Sequence, residues 1–210
     1  MIEMAQMIWT GDRDWESLWD GDTPWVREMA EKSIPEDAVL IDRPPDVVKA
    51  SIPYMVLPCL VCFAALFLKK KAADGPIVDL WSMPLSFLIG FFVAMPLHEF
   101  LHAICYPKGA RVYIGVSLKR LRAYAVSSAA LSRERYILMS SASSIPGILS
   151  LIVFLLCPIA MERLMTVCIV TSFLGLISPA PDHMDVLLLL RNVPKGATIQ
   201  ATGSGLAWYL

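Results

Sequence analysis

Pro96-Leu97-His98-Glu99-Phe100-Leu101-His102 is the stretch that decides how this chain is read. Two histidines four positions apart lie one above the other on a helix face, so both imidazoles reach a single ion. Glutamate beside the first histidine points close to that ion without ligating it. There it can take a proton from the attacking water and pass it to a leaving amine. The ion expected at such a pair is Zn2+, which takes nitrogen and oxygen ligands and in catalytic sites keeps one position open. The plain alternative is a polar helix end lying near lipid headgroups.

The motif closes an apolar run, Met83–Tyr106, and three more such runs flank it. Ile52–Leu68 precedes it and ends in Lys69-Lys70-Lys71. Tyr136–Ala160 follows, with Pro146 and Gly147 inside it. The last run, Leu164–Ile177, is interrupted by Ser178-Pro179-Ala180-Pro181 and resumes as Met184–Leu190. Crossing a bilayer takes about 20 apolar residues. The first three runs meet that length alone, and the fourth meets it when both halves are counted. Composition agrees, with 56% hydrophobic and 18% charged residues in 210. The expected fold class is an all-α membrane protein of about four transmembrane helices, with a small β hairpin between the second and third. Ionisable groups inside a span are expensive and mark function.

The net charge of -1 conceals an asymmetry. Residues 1–50 carry twelve acidic and five basic side chains, whereas the remainder carry seven and thirteen. This divides the chain into an acidic, tryptophan-rich arm (1–50), a transmembrane domain (51–193) and a tail (194–210). In the arm, Trp15, Leu18 and Trp19 share a helical face that packs on the protein's own domain or on a membrane surface. No basic-then-apolar leader pattern opens the sequence, so Ile52–Leu68 is expected to serve as the insertion signal. Five cysteines, all in or beside apolar runs, argue against a disulfide framework.

Between the second and third runs, Val112, Ile114, Val116 and Leu118 alternate with Tyr113, Gly115 and Ser117, a strand period. Lys119–Arg122 reads as a turn and Ala123–Val126 as a return strand. The stretch 108–135 holds seven basic residues and one acidic one. The positive-inside rule then favours a multi-pass protein of the plasma or inner membrane, with both termini cytoplasmic.

A third zinc ligand must come from elsewhere. The interrupted fourth run offers Asp182, Asp185 and His183, placed beside a cavity because a broken helix at membrane depth needs one. Asp182 is the preferred ligand; its alternative role is that of a helix N-cap. Gly203-Ser204-Gly205 lacks the context of a nucleotide fingerprint, and the serines at 140, 141, 143 and 144 read as small-residue helix packing. The basic residues lack the aromatic interleaving of a nucleic-acid surface.

Taken together, Pro96–His102, the Tyr-Pro-Lys-Gly-Ala that follows, Ser132–Met139 (Ser-Arg-x-Arg-Tyr-Ile-Leu-Met), Ala180-Pro181-Asp182 and Pro194-Lys195-Gly196 resemble a family of zincin-type membrane peptidases related to the site-2 proteases. The resemblance runs from about Lys49 to the C-terminus. It departs at Pro181, where the family has glycine, and at Met184-Asp185-Val186, which lacks the glycine of the site-2 Leu-Asp-Gly. It implies peptide hydrolysis at or within the membrane and leaves the third ligand open; the full reading is a zinc ion on His98, His102 and Asp182, with Glu99 as base, acting on membrane-protein or peptide substrates. It also implies that the segment 113–126 lines the site, with Tyr113, Gly115 and Ser117 against substrate. The same hairpin has a second reading, a loop held on anionic headgroups by Arg120 and Arg122. Two other functions use the same residues: a pseudoprotease or adaptor that keeps a structural zinc, and a metal-handling membrane protein.

Overall fold

The computed structural model describes residues 5–13, 23–32, 34–120, 122–202 and 205–210. The expected helical face of Trp15, Leu18 and Trp19 lies outside them. In chain order the elements are β1 (Gln6–Asp12), α1 (Pro24–Glu31), β2 (Val39–Leu40), α2 (Val47–Ser51), α3 (Val56–Lys71), α4 (Met83–Ile89) and α5 (Met95–Ile104). They continue with β3 (Arg111–Ser117), β4 (Arg122–Val126), β5 (Leu131–Ser132), α6 (Arg133–Ala142), α7 (Ile145–Leu156), α8 (Glu162–Ile177), α9 (Ala180–Asn192), β6 (Thr198–Thr202) and β7 (Gly205–Tyr209).

The all-α expectation is wrong. Two sheets form, one in the order β1-β3-β4 and one in the order β2-β7-β6-β5. The hairpin of β3 and β4 is present, but it gains β1 as a parallel partner from the N-terminal arm. The C-terminal tail supplies β6 and β7 to the second sheet. The reason is pairing at long range: β1 and β3 lie about a hundred residues apart, a separation that no local period reports.

The span count also changes. Among the described residues three helical rods are long and apolar enough to cross a membrane: Val47–Lys71, Leu80–Ile104 and Glu162–Asn192. The run expected as the third span is instead two helices, α6 and α7, bent by 40° at their junction, and counting that pair gives up to four. Pro146 explains the break, because it sits in the first turn of α7, where its missing N–H costs nothing. Conversely, Ser178 and Pro179 make only a short turn between α8 and α9.

The chain divides into two compact units. One comprises residues 46–98 and 141–184, with α3, α4, α7 and α8. Its core joins Cys62, Ala65, Phe154, Met165, Cys168 and Ile169. Where α7 meets α8, Gly147 and Gly175 face each other; a Cβ on Gly175 would stand 2.6 Å from the Gly147 nitrogen. Bare backbone is what allows so close an approach. Lys69, at the end of α3, is buried and donates to the carbonyls of Leu155 and Cys157, the unpaired acceptors at the end of α7. Leu57, Leu60, Phe63 and Phe67 on α3, and Phe92 and Val93 in the next rod, are exposed.

The other unit comprises residues 1–45, 99–140 and 185–210 and holds both sheets. Strand β3 is internal, with β1 on one side and β4 on the other. On one face Val112 packs with Ala5, Ala103 and Ala110. On the other, Tyr113 and Tyr124 pack against the fully buried Trp25 of α1, whose ring lies 5.3 Å and 6.1 Å from theirs. Glu28 of α1 accepts hydrogen bonds from Arg111 and Tyr113 at 2.8 and 2.7 Å. Burial works to raise the Glu28 carboxyl, but these two donors outweigh it and hold the group below its ordinary range. The second sheet packs Ile199 and Leu206 against Leu189 and Val193, at the end of α9.

The glycine crossing is the most sensitive point of the helical unit. Gly175→Val is expected to destabilise the protein by about 1–3 kcal/mol or more through overpacking, read as a lower Tm in detergent. Gly75→Val, with nothing within 4 Å of its Cβ position, should leave Tm almost unchanged.

Candidate metal centre

The motif sits on α5, the last part of the rod Leu80–Ile104. Hydrophobic residues with high helix propensity surround it, yet the rod is not uniform. Gly90–Ala94 forms a π turn that ends immediately before Met95-Pro96. Pro96 cannot donate to the carbonyl of Phe92, and its ring crowds that carbonyl; a wider turn just upstream is a common way for a helix to absorb the defect. Below the proline the helix is regular, and the i, i+4 geometry of the histidines follows.

His98, Glu99 and His102 are 7%, 6% and 8% exposed. One ligand atom of each lies within 4.8 Å of the others. Two imidazoles and a carboxylate gathered in a buried turn fit a divalent ion of zinc's preferences, nitrogen and oxygen donors at short range. One residue on, Ala103 is fully buried against Val112 and Ala110, which seats the end of α5 on the β3 sheet.

The three candidates for the further ligand have three different partners. Asp182 Oδ2 lies 3.4 Å from His98 Nε2. Asp185 Oδ2 instead accepts from Arg43 Nη2 at 2.8 Å, and its side chain is almost fully buried. His183 Nε2 shares a 2.8 Å hydrogen bond with Ser144 Oγ. Asp182 is the third residue of α9, inside its first turn, where a negative charge complements the helix dipole. Arg43 is a site neighbour that sequence reasoning missed. It lies 142 positions from Asp185, and nothing in its local context signals the pairing.

Tyr113, Gly115 and Ser117 are not brought to the motif helix. In a strand, side chains alternate between faces; Val112 takes the face with Ala103, and Tyr113 takes the face with Trp25. Thr10 and Tyr124, themselves hydrogen-bonded at 2.6 Å, fill the space where a Cβ on Gly115 would go. Ser117 is fully buried. The backbone of β3 is also engaged on both sides. Among the described residues, the outer edges of this sheet belong to β1 and β4.

Against this geometry, a family profile described as "Putative zincin peptidase" matches residues 91–198, about half of the chain and all of the motif. The chain belongs to that family of zincin-type peptidases. No curated protein and no solved structure gives a significant match.

The two aspartates have different partners, His98 for Asp182 and Arg43 for Asp185. Asp182→Asn is expected to weaken zinc binding by tenfold or more while the apo protein keeps its Tm. Asp185→Asn should retain zinc but lose about 1–3 kcal/mol of stability, because the Arg43 guanidinium loses its charged acceptor. Metal titration and thermal denaturation of both variants check the pair of outcomes.

Proposed function

We propose that this chain is a membrane-embedded zinc metallopeptidase that hydrolyses peptide bonds of membrane-associated proteins. The observation that carries this reading is the buried His98–Glu99–His102 cluster at the end of an apolar rod long enough to cross a bilayer. Family membership supports the peptidase chemistry. The exposed leucines and phenylalanines of the helical unit support the bilayer, because an aqueous surface rarely carries so many large apolar side chains together.

In this reading His98, His102 and Asp182 hold the zinc. Zinc bound there supplies Lewis acidity, polarising the scissile carbonyl and making water more acidic. Glu99 takes the proton from the attacking water and delivers it to the leaving amine, which needs a carboxylate next to the first histidine. Burial of all three motif side chains limits bulk water at the reacting atoms. An extended substrate adds as a strand along the outer edge of β4, where main-chain hydrogen bonds hold any sequence. The basic stretch 108–135 faces the cytoplasm, and with α6 and α7 counted as one span both termini do so as well.

Glu99→Gln separates this function from its competitors. Purified in detergent, the variant should keep its zinc and lose cleavage of a membrane-protein substrate library by roughly 10²–10⁴-fold. Unchanged cleavage by Glu99→Gln, or a wild type that takes up no zinc, would contradict the proposal. Metal flux in liposomes that survives Glu99→Gln would point to a metal-handling protein.

A further inference from the structure

Ser132-Arg133-Glu134-Arg135 opens α6, and neither arginine has a part in the chemistry above. Each nevertheless grips the end of a helix that carries a proposed metal ligand. Arg135 donates from Nε to the Cys105 carbonyl and from Nη2 to the Tyr106 carbonyl at 3.1 Å. These two carbonyls lie immediately past the end of α5, where acceptors have no partner within the helix. The same turn is tied to the motif, since the Cys105 N–H donates to the His102 carbonyl at 3.1 Å. Arg133 is 6% exposed and donates from Nε to the Leu189 carbonyl at 3.3 Å and from Nη2 to the Leu190 carbonyl at 3.4 Å. Those are last-turn acceptors of α9, the helix that begins near Asp182.

We propose that Arg133 and Arg135 are positioning residues: a two-pronged clamp that fixes the exit of α5 against the end of α9 and so holds His102 in place for the metal. The proposal rests on the metallopeptidase reading. The physical case has three parts. A guanidinium is a planar fork that can serve two acceptors at once, which a lysine ammonium does less specifically. A cation at a helix C-terminus also meets the negative end of the dipole. And spacing matters: the arginines are two residues apart at the start of one helix, so α6 sets the separation of the two ends it holds. Two hydrogen bonds, the Arg133 N–H donating to the Ala197 carbonyl at 2.8 Å and the Glu134 side-chain Oε1 accepting from the Gly196 N–H at 3.3 Å, fix the base of the clamp.

The test measures metal affinity separately from folding. Wild type, Arg135→Gln, Arg135→Lys and Arg133→Gln are purified in detergent. Zinc affinity is read by chelator competition, ligand geometry by the visible absorption of the Co2+-loaded proteins, and folding by the Tm of the apo forms. The clamp predicts that Arg135→Gln weakens zinc by about tenfold, in the range seen when groups that orient metal ligands are removed, and alters the Co2+ spectrum. Arg135→Lys should recover part of the loss. If Arg135→Gln does not fold, the comparison of Arg135→Lys and Arg133→Gln with wild type carries the test. A fall in apo Tm with unchanged zinc affinity and Co2+ spectrum would overturn the proposal and leave only a structural role. Full zinc affinity in every variant would overturn it as well. A wild type without zinc would instead overturn the metallopeptidase reading, and this proposal with it.

Discussion

Three polar side chains buried within one turn of an otherwise apolar rod set the constraint on which the rest of the structure depends. The helix supplies their spacing directly, since positions 98 and 102 face the same way in any α-helix. It does not supply their placement. Pro96 and the π turn before it remove regular hydrogen bonding just upstream, so the motif turn cannot rely on the rod above it. Placement comes from below. Ala103 is pressed against Val112 of the central strand, and the carbonyls past the end of α5 are taken by Arg135. A side chain as small as alanine allows the helix to lie close to the sheet, and β1 and β4 pair with β3 on either side.

The same logic runs through α9. Its first turn carries Asp182 beside His98, and its next carboxylate, Asp185, is neutralised by Arg43. A second ionised carboxylate buried without a partner would be costly. With Arg43 in place, the two acids on one helix have different partners. Helix ends elsewhere follow a common rule in this chain: Lys69 serves the last carbonyls of α7, and Arg133 those of α9. Long basic side chains thus satisfy backbone acceptors that the helices leave without an internal partner.

Much of the site was legible in the sequence, and the reasons are physical. The histidine pair is a local pattern within one helix, and so are the apolar rods. The alternation from Val112 onward located β3 and β4 to within a residue or two, because the period of a strand is also local. What escaped reading was contact at long range. Gln6–Asp12 has no clean alternation and becomes a strand only by lying along β3. The tail carries no strand signal that singles it out, yet Thr198–Thr202 and Gly205–Tyr209 pair as β6 and β7. Tyr113, Gly115 and Ser117 fall on β3 as the alternation indicates, and Tyr113 packs on the face that meets Trp25. Which face meets α5 is decided by Ala103 and Trp25, neither of which the strand's own sequence contains.

The proposed site takes its zinc ligands, two imidazole nitrogens and a carboxylate oxygen, from His98, His102 and Asp182. Zinc K-edge X-ray absorption of the wild-type protein in detergent tests it most directly. Two imidazole nitrogens at about 2.0–2.1 Å, a carboxylate or water oxygen at about 2.0–2.2 Å and no sulfur are the expected result. A sulfur shell at about 2.3 Å would assign the metal to the cysteines instead, and a spectrum without imidazole scattering would contradict the assignment of His98 and His102.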